Sequence, residues 1–266
     1  MFYYCSIRRV NGSRKGLIVG KAKASPKGHS AGMAKVTNFG DVRQTHFCVH
    51  CGGPTETKDH APSKVFLDEP YPLTRPTLPS CVDCNNGFSD DEEYVAAFVE
   101  CVVWGTTDPD RLRREKVAKA LRRNSALRGR IERSRREAET LGGGRIFTWT
   151  PEEERVRRVA LKLARCHVAY ELNEPQLEDP DHLLVIPLVN LSDDQREHFE
   201  TPPDTGVWPE VGSRAMLRLV EGGSGFAGGW CTVQEGRYRY MAVGAGSVMV
   251  RGVIGEYLAY EVIWGL

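Results

Sequence analysis

Residues 48–62 include Cys48-Val49-His50-Cys51 and Lys58-Asp59-His60-Ala61-Pro62, and residues 81–85 read Cys81-Val82-Asp83-Cys84-Asn85. The two Cys-x-x-Cys pairs are separated by 29 residues, and each lies in a turn: Gly52-Gly53 follows the first pair and Asn85-Asn86-Gly87 the second. Paired thiols at this spacing are the signature of two knuckles closing one tetrahedral tetrathiolate site, a structural zinc held by Cys48, Cys51, Cys81 and Cys84. The competing reading, four unrelated buried thiols, requires both short spacings to arise by accident. His50 lies inside the first knuckle and is a substitute ligand on paper, but four thiolates already complete the site. Cys5, Cys101, Cys166 and Cys231 are isolated and read as buried or incidental.

Outward from this core the chain has 266 residues and a formal net charge of +1, so total charge favours no partner. Its distribution is more informative. Residues 1–40 hold eight Arg or Lys and no acid, and residues 111–136 hold twelve against two Glu. The longest apolar run, Tyr94 to Trp104, is too short for a membrane span and carries Glu100. The N-terminus has no continuous apolar segment of the secretory kind. A cytoplasmic protein without membrane contact is expected, in which cysteines serve as thiols or metal ligands.

Local patterns suggest four regions. Residues 1–45 read as a basic, flexible arm, with Met33 a second candidate initiator. Residues 46–105 form the cysteine-bearing module. In it Ser89 and Glu92 predict a capping box, and Val95, Phe98, Val99, Val102 and Val103 the apolar face of a helix stopping near Gly105. Residues 106–172 read as a basic helical region. One helix is expected over about 110–141, with a break near Gly129 and a joint at Gly142-Gly143-Gly144, and another from about Thr150 to Leu172 with Pro151 in its first position. Residues 173–266 read as β-rich: segments 212–220, 229–241, 246–252 and 256–264 predict a small antiparallel sheet, after a short apolar run over 183–188. The fold class is therefore α+β.

The order cysteine pair, Asp-His, cysteine pair, Asn resembles the zinc-bearing HNH, or His-Me finger, endonucleases. Phage Holliday-junction resolvases share the arrangement. The likeness spans about 45 residues, including Asp59-His60-Ala61-Pro62-Ser63-Lys64-Val65-Phe66 and Cys84-Asn85-Asn86-Gly87-Phe88. It implies a zinc-stapled ββα-metal module and a metal-dependent nuclease acting on DNA, with RNA left open. Carried over by position, His60 is the general base, while Asp59 and Asn85 hold a catalytic Mg²⁺ or Mn²⁺. The chemistry is coherent: a neutral imidazole takes a proton from water, and a hard cation on oxygen ligands stabilises the leaving oxygen. The sequence departs from the family where a middle Asn would help orient the base. That stretch is Arg75-Pro76-Thr77-Leu78-Pro79-Ser80, and Thr77 and Ser80 are the candidate substitutes.

Lys64, Arg122, Arg123, Arg133 and Arg136 are the expected nucleic-acid contacts, against the plainer reading of a solvated basic face. The Arg237-Tyr238-Arg239-Tyr240 alternation suits stacking on single strands, but equally a half-buried strand. The rival to the enzyme is a non-catalytic zinc module that binds nucleic acid or protein.

Overall fold

The computed structural model describes residues 5–8, 32–40, 46–139 and 145–266. In chain order its elements are β1 (Cys5–Arg8), β2 (Thr57–His60), β3 (Thr77–Ser80), α1 (Val82–Gly87), α2 (Ser89–Trp104), α3 (Glu115–Arg123), α4 (Ser125–Ser134), β4 (Arg135–Glu139), β5 (Arg145–Trp149), α5 (Glu153–Glu171), β6 (His182–Pro187), α6 (Asp193–Glu200), α7 (Arg214–Glu221), β7 (Phe226–Ala227), β8 (Trp230–Gln234), β9 (Tyr238–Ala245), β10 (Ser247–Ile254) and β11 (Leu258–Trp264). The fold is α+β, with three antiparallel sheets: β1-β5-β4, β2-β3, and a six-stranded sheet ordered β6-β11-β10-β9-β8-β7.

Period-two alternation explains the large sheet. Tyr238, Tyr240, Val250, Leu258, Tyr260 and Val262 face one side and join the main core. Met241, Met249, Val253 and Ala259 face the other side and pack with Phe199 of α6 and Trp230. At Gly252 a Cβ would overlap the ring of cross-strand Tyr260, so the aromatic occupies the space glycine leaves. The short run over 183–188 forms β6, on the sheet's edge beside β11.

Helix α5 is the axle. Its apolar face, Val156, Val159, Ala160, Leu163, Ala164 and His167, is buried at helical spacing, and the helix packs against α2, β3 and four strands of the large sheet. One core runs from Val49 and Leu78 in the cysteine module, through Val95 and Leu163, to Tyr260. The cysteine module is thus fixed to the sheet through α5.

Several sequence expectations are corrected. Helix α2 ends as expected, with Gly105 in the left-handed region at φ 65°, but its N-cap is Phe88 and no side chain caps it. The Glu92 carboxylate instead binds Ser63 and Lys162. The basic helix breaks at Asn124, whose side chain accepts from the Leu127 amide at 2.9 Å, rather than at Gly129. From Arg135 the chain turns extended, because pairing with β5 overrides local helix propensity. The joint at 142–144 lies outside the described residues. Helix α5 begins at Glu153, two residues beyond Pro151. Residues 214–221 form α7 instead of a strand, capped by Ser213 accepting from the Met216 amide. Most of the expected basic arm falls outside the described residues, but 32–40 pack on the body: Met33 is buried in the core and accepts from Thr74 through its carbonyl.

Candidate metal centre and buried ionic cluster

The first knuckle is shaped by its backbone. The Cys48 amide donates to the Gly53 carbonyl at 2.7 Å and the Gly52 amide to the Cys48 carbonyl at 2.8 Å, with Gly52 at φ 73°, where a side chain would be strained. The second knuckle is the start of α1, where Cys81 Sγ accepts from the Cys84 amide. The β2-β3 ladder, with Thr57 opposite Ser80 and His60 opposite Thr77, brings the knuckles together. All four sulfurs lie within 4.8 Å of one another, and Cys51 Sγ and Cys81 Sγ are 3.9 Å apart. Tetrahedral ligation with Zn–S bonds of about 2.3 Å puts sulfurs about 3.8 Å apart, so the cluster has the size for zinc. None of the four is in a disulfide.

The thiols differ electrostatically. Burial pushes Cys48 up, but amide donors from Cys81, His50 and Cys51, with the Ser80 hydroxyl, bring it down to about 6. Burial and three neighbouring sulfurs push Cys84 well up. A bound cation favours the thiolate in all four.

Strand β2 then presents alternate residues to opposite sides. Lys58 is exposed, Asp59 is buried and His60 is half-buried. Asp59 is 4% exposed and both its oxygens are engaged. Oδ1 accepts from Lys162 Nζ at 2.9 Å, and Oδ2 accepts from His50 Nε2 at 2.9 Å. Lys162 Nζ also donates to Glu92 Oε1 at 2.8 Å and to the His60 carbonyl at 3.3 Å, and Ser63 Oγ donates to Glu92 Oε2 at 2.8 Å. Cys166 Sγ stands 3.9 Å from both His50 Nε2 and Asp59 Oδ2. Burial raises the Asp59 carboxyl, but the His50 hydrogen bond and the Lys162 ammonium together hold it below the usual carboxylate range. The cluster joins the first knuckle, β2, α2 and α5 by charge.

His60 ends β2 on the open side. Desolvation, then the charge of Arg75, lowers its pKa against the opposing pull of Asp59, so the imidazole is neutral at pH 7. Among the described residues the Arg75 Nε is buried with no acceptor, and its Nη1 reaches the Pro62 carbonyl at 3.5 Å. Asn85, on α1, donates through Nδ2 to Thr57 Oγ1 at 3.1 Å. Its Oδ1 has no hydrogen-bond donor among the described residues. No side-chain hydrogen bond to His60 is made by either candidate substitute for the middle Asn: Thr77, though opposite His60 in the ladder, donates through Oγ1 to the Arg75 carbonyl, and Ser80 Oγ lies against Cys48 Sγ and the Cys81 carbonyl.

The chain matches no protein-family model, no curated protein and no solved structure.

The arginines expected to contact nucleic acid do not share one helix face. Arg122 and Arg123 end α3, Arg133 lies in the last turn of α4, and Arg136 is on β4. Arg122 is paired with Asp110 at 2.9 Å and Glu115 at 3.2 Å. Lys64 is exposed and lies 5.2 Å from the Tyr71 ring centroid, which it shares with Lys116. The sequence reading missed Lys162, Glu92, Cys166 and His50 as partners. One signal was available: Lys162 interrupts the apolar face between Val159 and Cys166, where a charge is costly unless paired.

Proposed function

We propose that the chain is a metal-dependent endonuclease of the HNH type that hydrolyses phosphodiester bonds in DNA. The observation that carries this reading is the order of elements around the cysteine cluster: hairpin β2-β3, then α1, with His60 ending the first strand and Asn85 on the helix. That is the ββα arrangement which the motif resemblance leads one to expect. In this reading the four thiolates hold zinc as a staple. The neutral His60 imidazole takes the proton from the attacking water, and Asp59 with Asn85 Oδ1 would hold Mg²⁺ or Mn²⁺. Arg75 and Lys64 supply positive charge beside the base.

A second reading is favoured by one specific observation. Asp59 is buried with Lys162 and His50 on its two oxygens, so metal binding there requires the ammonium to yield. If it does not, the module is a zinc-held binding unit without catalysis. Incubating the pure protein with plasmid DNA separates the readings. The nuclease nicks or linearises it with Mg²⁺ or Mn²⁺ and is stopped by chelator; a protein that binds DNA but leaves it intact under either metal is the binding unit.

A further inference from the structure

Strands β2 and β3 are joined by the loop 61–76, which ends Pro70-Tyr71-Pro72-Leu73-Thr74-Arg75-Pro76. Leu73 is wholly exposed, at 101%. One exposed leucine is ordinary on a protein surface. This one differs because the chain on either side of it is pinned. Three prolines restrict the backbone around it. Pro72 is buried, and so close to Gly32 that a Cβ there would lie 3.2 Å from the Pro72 Cβ. Thr74 donates to the Met33 carbonyl. Arg75 Nη1 reaches the Pro62 carbonyl at 3.5 Å and the Ala61 amide donates to the Pro76 carbonyl at 3.1 Å, so the returning limb of the loop runs along the residues next to His60.

Leu73 comes four residues before Thr77, which lies opposite His60. That length of chain spans at most about 14 Å, and successive nucleotides rise about 3.4 Å, so a phosphate at His60 would have Leu73 within about four base steps. Cations surround the same loop. Lys64 and Lys116 each lie 5.2 Å from the Tyr71 ring centroid. Lys116 Nζ donates to the Lys64 carbonyl and the Tyr71 hydroxyl, and Arg75 to the Pro62 carbonyl, so these bonds leave the positive charge unneutralised. Asp68 is taken up by Arg114 and Arg237, and Glu69 opposes the three cations.

We propose that Leu73 is a wedge that enters the base stack of DNA held at His60 and unstacks one step, while Lys64, Arg75 and Lys116 meet the flanking phosphates. An apolar side chain surrounded by cations suits a duplex, whose stacked bases are apolar and whose rim is anionic. The pinned loop holds the leucine outward before DNA arrives, so little ordering is left for binding to do. The proposal rests on the nuclease reading and adds how that site chooses its substrate: base steps that unstack cheaply are favoured over stiff ones.

The test uses the full chain without added Mg²⁺ or Mn²⁺, so that binding is read apart from cutting. The probes are a short paired duplex with 2-aminopurine at a TA step, whose fluorescence rises on unstacking, and the same duplex with one T·T mismatch. The parent should raise the fluorescence and bind the mismatched duplex at least about tenfold more tightly, because part of the unstacking is already done. Leu73→Ala changes a wholly exposed side chain, so its melting temperature should match the parent's. It should lose most of the fluorescence rise and bind the two duplexes about equally. Leu73→Met should keep both properties, and Lys64→Ala should weaken binding to both duplexes alike. DNA binding without a fluorescence rise, or a Leu73→Ala protein that behaves as the parent, would overturn the wedge. A chain that cuts plasmid under Mg²⁺ but shows neither signal overturns the wedge and leaves the nuclease reading standing. One that unstacks DNA through Leu73 but never cuts it supports the wedge and overturns the nuclease reading, and absence of DNA binding overturns both.

Discussion

Replacing Lys162 by Met isolates what holds the module to the rest of the molecule. The Lys162 side chain is 1% exposed, and its ammonium touches Asp59 at 2.9 Å and Glu92 at 2.8 Å, carboxylates that are themselves 4% and 9% exposed. Methionine fills nearly the same volume, so the perturbation is electrical: two buried carboxylates lose their shared cation. Removing one partner of a buried ion pair costs about 3–5 kcal/mol, and at this burial solvent screening gives little relief. For a chain of this size that is a fall in melting temperature of about 6–20 °C. The sign with pH follows from the carboxyls. Asp59 is held below its usual range in the parent, so its contribution is present at neutral pH and is lost as pH falls through the folded value. In Lys162→Met the Asp59 carboxyl loses the ammonium that held it down and takes up a proton more readily, so the gap between variant and parent should be widest near neutrality and shrink towards about pH 4. Adding Asp59→Asn and Glu92→Gln should restore much of the stability at pH 7, because no uncompensated charge remains. Urea denaturation of the parent, single and triple variants across pH is the assay. A single variant within about 0.5 kcal/mol of the parent, or a deficit that ignores pH, would refute the reasoning.

Other outcomes are equally concrete. Elemental analysis should find one zinc per chain. Cys81→Ser should lower that content and unfold residues 46–105, since binding energy at such a site is folding energy; full occupancy after removal of two of the four thiols would contradict it. Neutralising Arg122, Arg123, Arg133 and Arg136 should weaken DNA binding and flatten its dependence on salt by about 0.9 for each phosphate no longer neutralised. Because Arg122 is already paired with Asp110 and Glu115, reverting it alone should restore little of the slope; an unchanged slope in the fourfold variant would mark the face as merely solvated.

What the sequence made legible was local and chemically specific. Each cysteine pair is held close by its own short spacing, the β2-β3 ladder joins the two pairs, and α2 stops at Gly105 in the left-handed region. Of the large sheet, β10 and β11 were legible from alternation and flanking glycines, while the single segment expected over 229–241 takes in β8, a turn and the start of β9. What escaped depended on partners far away in the chain. Arg135 to Glu139 is extended because β5 pairs with it, and no local window contains both strands' determinants. The stretch 214–221 has an apolar pattern compatible with either element, and the Ser213 cap was the overlooked cue. Asp59 was read as a ligand of the catalytic ion, yet its neighbours are His50, nine residues back, and Lys162, 103 residues on. A side chain's chemistry was readable at that position, and its direction was not.

The central claim turns on His60, which ends β2 half-buried, neutral, beside Arg75 and outside the cysteine cluster. The decisive measurement is the rate of DNA cleavage by His60→Ala under Mg²⁺ or Mn²⁺, taken alongside zinc content, melting temperature and DNA affinity. The account predicts that the last three stay close to those of the parent while the rate falls by about two to four orders of magnitude, the contribution of a positioned general base. A folded, zinc-loaded His60→Ala protein that cuts as fast as the parent would contradict it.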